Sequence, residues 1–111
     1  MRPSRIRVTK MIADVMFKNK QYVVFNEQGK EIAKGFESDL GNLVGFTDSF
    51  ILFEKKDRFF TVDDRLKEIA SEWKNTVGEF RNAAGHIVNF TKNKQIYTRD
   101  TMFKEISRRF I

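Results

Sequence analysis

The chain has 111 residues, with 21 Lys and Arg against 15 Asp and Glu, one His and no Cys, for a formal net charge of +6. The absence of Cys excludes disulfides, thiolate metal sites and thiol chemistry. The apolar stretch after Arg2, Arg5, Arg7 and Lys10 is broken by Asp14 and is too short for a signal-peptide core or a membrane span.

Read from the N-terminus, the chain repeats itself. Residues 1–37 hold Ile6, Met16, the stretch Lys18-Asn19-Lys20-Gln21, Tyr22, Asn26, the stretch Lys30-Glu31-Ile32-Ala33, and Phe36. Residues 38–74 return Leu43, Phe53, Lys55-Lys56-Asp57-Arg58, Phe59, Asp63, Lys67-Glu68-Ile69-Ala70 and Trp73 in the same phase. Residues 75–111 do so again with Phe80, Phe90, Lys92-Asn93-Lys94-Gln95, Ile96, Asp100, Lys104-Glu105-Ile106-Ser107 and Phe110. The period is 37 residues and runs without a gap, which marks a repeat fold whose units bury their apolar faces against neighbours.

Within the third unit, short runs rich in Val, Ile, Phe, Tyr and Thr predict strands over 77–82, 86–91, 95–100 and 103–108, separated by turn-like residues. Leu66, Ile69, Ala70 and Trp73 also fall at helical spacing within 61–73, but the equivalent segments carry Gly29 and Gly35 or lack a full apolar stripe, so strands are expected there too. The sequence therefore predicts a single all-β domain, residues 1–111, of three four-stranded units. Closure with pseudo-threefold symmetry, trefoil-like or as a small propeller-like ring, would remove the open sheet edges. Core positions are expected in the columns Ile32/Ile69/Ile106, Ile6/Leu43/Phe80 and Tyr22/Phe59/Ile96, and core packing is the simpler reading of Phe36/Trp73/Phe110. Alternation puts Met16, Phe53 and Phe90 on the face of Asp14, Ile51 and Val88, and a sheet-edge place for Asp14 would account for the acid in that column. Asn26, Asp63 and Asp100 suit tight turns closed by side-chain bonds to the backbone.

Chemistry is sparse. His86 has no second His or Cys with which to hold a metal, and a lone His is read as a surface residue. Asp63 and Asp64, adjacent on an extended chain, point to opposite faces and cannot flank one bond. No nucleophile elbow, phosphate loop or dinucleotide fingerprint occurs, so neither a catalytic residue nor a cofactor is assigned.

The segment Asn26-Glu27-Gln28-Gly29-Lys30-Glu31-Ile32, with Arg58 to Asp63, Val77 to Phe80 and Lys92 to Tyr97 in the later units, resembles the bacterial WG repeat family. The Trp-Gly pair of that family is replaced by Tyr22-Val23, Phe59-Phe60 and Ile96-Tyr97. The resemblance implies a β-rich recognition module and carries over no catalytic residue. The expected function is binding of a protein or other macromolecule through turns and one rim, with Lys18, Lys20, Lys55, Lys56, Arg58, Lys92, Lys94 and Trp73 as candidate contact residues. Nucleic-acid binding through the Lys18, Lys55 and Lys92 tips with Arg5, Arg7, Arg108 and Arg109 is the alternative, a carbohydrate-binding trefoil-like domain is a third class, and cytoplasm is the expected location. Against the first of these alternatives stands the ordinary use of Lys and Asn at hairpin tips. A well-solvated surface also explains the net charge.

Overall fold

The computed structural model describes residues 11–111, and the all-β expectation holds across them. The strands are β1 (Ile12–Lys18), β2 (Gln21–Asn26), β3 (Glu31–Phe36), β4 (Asn42–Phe46), β5 (Ile51–Lys55), β6 (Arg58–Val62), β7 (Glu68–Trp73), β8 (Glu79–Ala84), β9 (Ile87–Lys92), β10 (Gln95–Asp100) and β11 (Glu105–Phe110). They form three antiparallel meanders in chain order, β1-β2-β3, β4-β5-β6-β7 and β8-β9-β10-β11. The sequence period reappears in the elements: β3, β7 and β11 start at Glu31, Glu68 and Glu105, and the central hairpins share one register, Lys18 opposite Gln21, Lys55 opposite Arg58, Lys92 opposite Gln95. The segment 61–73 is strand, turn and strand rather than helix. Helix does occur where no periodic pattern announced it, as single turns α1 (Glu37–Leu40) and α2 (Lys74–Val77) that carry the chain from one sheet to the next.

Two kinds of turn build each sheet. Central hairpins close on two left-handed residues, Asn19-Lys20, Lys56-Asp57 and Asn93-Lys94, the backbone of a two-residue turn whose twist matches that of the strands. At the other end, the side-chain oxygen of Asn26 accepts the amides of Gln28 and Lys30 at 2.9 and 3.0 Å. Asp63 does the same for Arg65 and Lys67, and Asp100 for Met102 and Lys104. The turn column is thus what its residue types indicate. Removing the carboxylate in Asp63→Ala leaves two amides without their partner and should cost about 1–2 kcal/mol, whereas Lys67→Ala should cost under about 0.5 kcal/mol. Equal urea midpoints for the two variants would show that the turn does not depend on the side chain.

The sheets lie in a row, face on face. Opposed residues share a face, so Val15, Val24 and Tyr22 point one way and pack on Ile51, Phe53 and Val62 of the second sheet. Its other face, with Phe50, Leu52 and Phe59, packs on Val77, Val88, Phe90 and Phe103. Backbone ties reinforce both contacts: the Ile12 amide donates to the Asp48 carbonyl at 2.9 Å, and the hydroxyls of Thr47 and Thr61 donate to the carbonyls of Gly85 and Thr101, each at 2.7 Å.

Three expectations need correction. None of the sheets closes, each core cluster joins consecutive sheets only, and the extents of 51 × 36 × 19 Å are those of a row, so the described residues form no trefoil-like or ring-like closed body. The open edges are managed locally instead, because β3, β7 and β11 each carry a bulge at their second residue, Ile32, Ile69 or Ile106, together with charged residues, which blunts pairing with another strand. Second, the Ile column is not uniformly core: Ile32 and Ile69 are half-buried and Ile106 is 58% exposed, since among the described residues no further sheet covers β11. Third, Phe36, Trp73 and Phe110 are exposed, not core, because they end edge strands at a rim beyond the reach of the neighbouring sheet. Tyr22, Phe59 and Ile96 are buried as expected, Leu43 and Phe80 are half-buried, and Ile6 lies outside the described residues. Met16 is exposed while Phe53 and Phe90 are fully buried, because among the described residues no other sheet covers that face of the first sheet. Asp14 is exposed beside a bulge in β1, which is an edge strand among the described residues.

The outer face of the third sheet is polar. Asn89 donates to Asn82 at 2.7 Å, Thr98 donates to Asn89 at 2.5 Å, and Arg109 donates to Thr98 at 3.3 Å, a ladder across all four strands. One period earlier, Leu52 and Thr61 occupy the columns of Asn89 and Thr98 and are fully buried.

Candidate functional site

The hairpin tips lie along one rim. The Glu37 amide at the start of α1 donates to the Lys20 carbonyl of the first tip, and Lys55 of the second tip donates to the carbonyls of Ser38 and Asp39 in the same connector. Repeating the pattern, the Lys74 amide donates to the Asp57 carbonyl and Lys92 to that of Thr76. Two candidate contact residues therefore have work inside the molecule, since Lys55 and Lys92 neutralise the carbonyl end of the preceding helical turn. Lys18, Lys20, Lys56 and Lys94 are exposed at the tips. Sequence reasoning could not separate these two groups, because the carbonyls lie 16 or 17 residues earlier, in a connector whose fold no periodic pattern announced.

Arg58 and Trp73 are brought together. They are opposite one another on β6 and β7, and the Arg58 guanidinium lies 4.7 Å from the Trp73 ring and 5.8 Å from that of Phe60. Its outer nitrogen donates to the Ser71 hydroxyl at 2.5 Å, while Nε is buried without a partner. Such stacking favours a fixed guanidinium and a rigid ring. Trp73 remains 51% exposed.

On the same face the strip continues into a cleft of about 210 Å³ in the second unit, lined by Asp39 and Leu40 of the connector and by Phe53, Phe60, Val62, Leu66 and Glu68. It is the part of the second sheet that the first sheet leaves uncovered. Its floor is apolar and its mouth carries two carboxylates. The cleft was not foreseen from the sequence, and neither was the participation of Phe60.

The rest of the surface offers no comparable convergence. His86 is exposed, with Nε2 3.4 Å from the Ser49 hydroxyl. Asp63 is occupied by its turn, and no cluster of His, Cys, Asp or Glu among the described residues could hold a metal ion. No described helix is long and apolar enough to cross a membrane. Arg5 and Arg7 lie outside the described residues, whereas Arg108 is exposed on β11, bonded to Glu105 at 3.0 Å and stacked 5.1 Å from the Tyr97 ring. No protein-family model, curated protein or solved structure matches the chain.

Proposed function

We propose that the chain is a non-enzymatic recognition module that binds a protein partner along the uncovered flank of its second sheet. The observation that carries this reading is the continuous strip formed by Trp73 with Arg58, Phe60 and the apolar cleft. A rigid, half-exposed Trp beside an oriented guanidinium and a pocket is the composition of an interface centre, where a few aromatic and Arg residues supply most of the binding energy. The repeat architecture supports it, since stacked units present extended surfaces assembled from several copies, and so does the likeness to WG repeats, a set of recognition modules.

A second reading rests on the row of exposed Lys18, Lys20, Lys56 and Lys94 along the rim, which suits a phosphate backbone. Trp73 does not line the cleft, so the carbohydrate alternative gains no support from it.

Trp73 is the sole Trp, so its emission reports directly on the strip. Peptides selected from a random library against the wild-type protein should shift that emission and should bind Phe60→Ala at least about tenfold more weakly, a loss within the range of an interface hot spot. Selected peptides that leave Trp73 emission unchanged and bind Phe60→Ala undiminished would overturn the reading. Binding of a single-stranded oligonucleotide that falls steeply with salt and is lost on replacing Lys20, Lys56 and Lys94 by Gln would favour nucleic acid instead.

A further inference from the structure

The three units solve the same electrostatic problem in two ways. Glu31, Glu68 and Glu105 open β3, β7 and β11 at equivalent places. Glu31 has Lys34 at 3.9 Å and Glu105 has Arg108 at 3.0 Å, each three residues on. In the middle unit that position is Ser71, whose hydroxyl is taken by Arg58, and among the described residues Glu68 has no cationic partner. The middle copy keeps the acid and lacks the base.

The surroundings of Glu68 differ from its equivalents in the same sense. One period on from Phe60, Val62 and Leu66 stand Tyr97, Arg99 and Phe103. There Arg99 lies 5.8 Å from the Tyr97 ring and donates to the Phe103 carbonyl at 2.7 Å, Arg108 lies 5.1 Å from the same ring, and Phe103 is buried. The third unit thus places two guanidinium groups against its aromatic ring, one of them, that of Arg108, paired with its carboxylate. In the second unit Val62 and Ser71 stand where those arginines do, and the shorter Leu66 replaces Phe103. What remains is the cleft, beside the Arg58 guanidinium that lies 5.8 Å from the Phe60 ring, with an aromatic floor and the carboxylates of Glu68 and Asp39 at its mouth.

We infer that this cleft receives the side chain of an arginine from the partner, its guanidinium lying against Phe60 and paired with Glu68 and Asp39. The inference rests on the recognition reading above and names the group recognised. Arginine suits the site better than lysine because its planar fork stacks on a ring and bonds a carboxylate in two places, and because the third unit sets two arginines, Arg99 and Arg108, against the ring equivalent to Phe60. Asp39 adds a second negative group where the later connector has uncharged Thr76.

The experiment is a two-dimensional NMR titration of the full chain with a blocked Gly-Ala-Arg-Ala-Gly peptide and with the same peptide carrying citrulline, the uncharged isostere. The arginine peptide should shift Leu40, Phe60, Leu66 and Glu68 and bind at least about tenfold more tightly than the citrulline peptide. Glu68→Gln should remove most of that preference, and Val62→Arg, which gives the second unit the third unit's own arginine, should abolish binding. Equal affinity for the two peptides, or an undiminished arginine preference in Glu68→Gln, overturns the inference, and the conservative Glu68→Gln keeps the test decisive should Val62→Arg fail to fold. Library-selected peptides that bind through Trp73 but are indifferent to Glu68→Gln would overturn the arginine assignment and leave the recognition surface standing. Loss of the Trp73 response with the arginine preference intact would do the reverse.

Discussion

Replacing Gly78 by Ala should lower folding stability by about 3 kcal/mol or more, the upper part of the range for a residue forced into a conformation its side chain forbids. Gly78 ends α2 with φ +98° and ψ −151°, a region open essentially to glycine alone. A Cβ there would stand 2.4 Å from the Thr91 carbonyl oxygen and 2.8 Å from Lys92 Cβ, both on the next sheet's central hairpin. Relief would require the connector to move off the hairpin and so loosen the seat of Val77, which is fully buried between the second and third sheets. Gly85 supplies the control. Its φ of +55° is left-handed too, but nothing lies within 4 Å of a Cβ there, so Gly85→Ala should cost only the backbone preference, about 1–2 kcal/mol. Urea midpoints that coincide for the two variants would show that the close approach is not what matters.

Phe90→Ala should cost about 3–5 kcal/mol, the range for truncating a buried aromatic side chain. Phe90 is fully buried at the junction of the second and third sheets, with the rings of Phe59, Phe103 and Phe80 at 5.1, 6.3 and 6.5 Å. Three fixed rings, two from separate strands and one from the turn between β10 and β11, cannot collapse together into the space it vacates, so a cavity term adds to the lost transfer energy. Ile106→Ala, at a position the repeat alone would rank with the core, should fall within about 0.5 kcal/mol because the side chain is exposed. Similar losses in calorimetric Tm for the two variants would contradict the packing.

The contrast between Phe90 and Ile106 shows where sequence reasoning stops. Features set within one unit were legible: the antiparallel hairpins, the acid and amide turns of Asn26, Asp63 and Asp100, and the burial of Tyr22, Phe59 and Ile96. Features set between units were not. A column of identical isoleucines says that three units are built alike, but burial of Ile106 requires a neighbour that β11 lacks. The shift from Leu52 to Asn89 along another column carried that information and could have been read as the signature of a solvent-facing sheet. α1 and α2 are single turns, too short for any helical periodicity. The duties of Lys55 and Lys92 depend on carbonyls of those single turns, 16 or 17 residues earlier in the chain. For the candidate site, Arg58 and Trp73 could be singled out by type, whereas the cleft exists only by difference, through Val62 and Ser71 in places where the third unit carries Arg99 and Arg108.

The amide and hydroxyl ladder on the third sheet gives the assembly a direction. The second unit is apolar on both faces, and its apolar columns mate with those before and after it, so it is built as an interchangeable middle piece. An additional copy of residues 38–74, spliced in after residue 74, would find matching surfaces on each side and lengthen the molecule by one layer without exposing new apolar area. The same copy laid on the outside of the third sheet would have to cover groups already bonded to one another, gaining little from their burial. Extension of this architecture is therefore a matter of insertion at the middle, and the number of such layers sets how many strips like that of Trp73 the molecule can display.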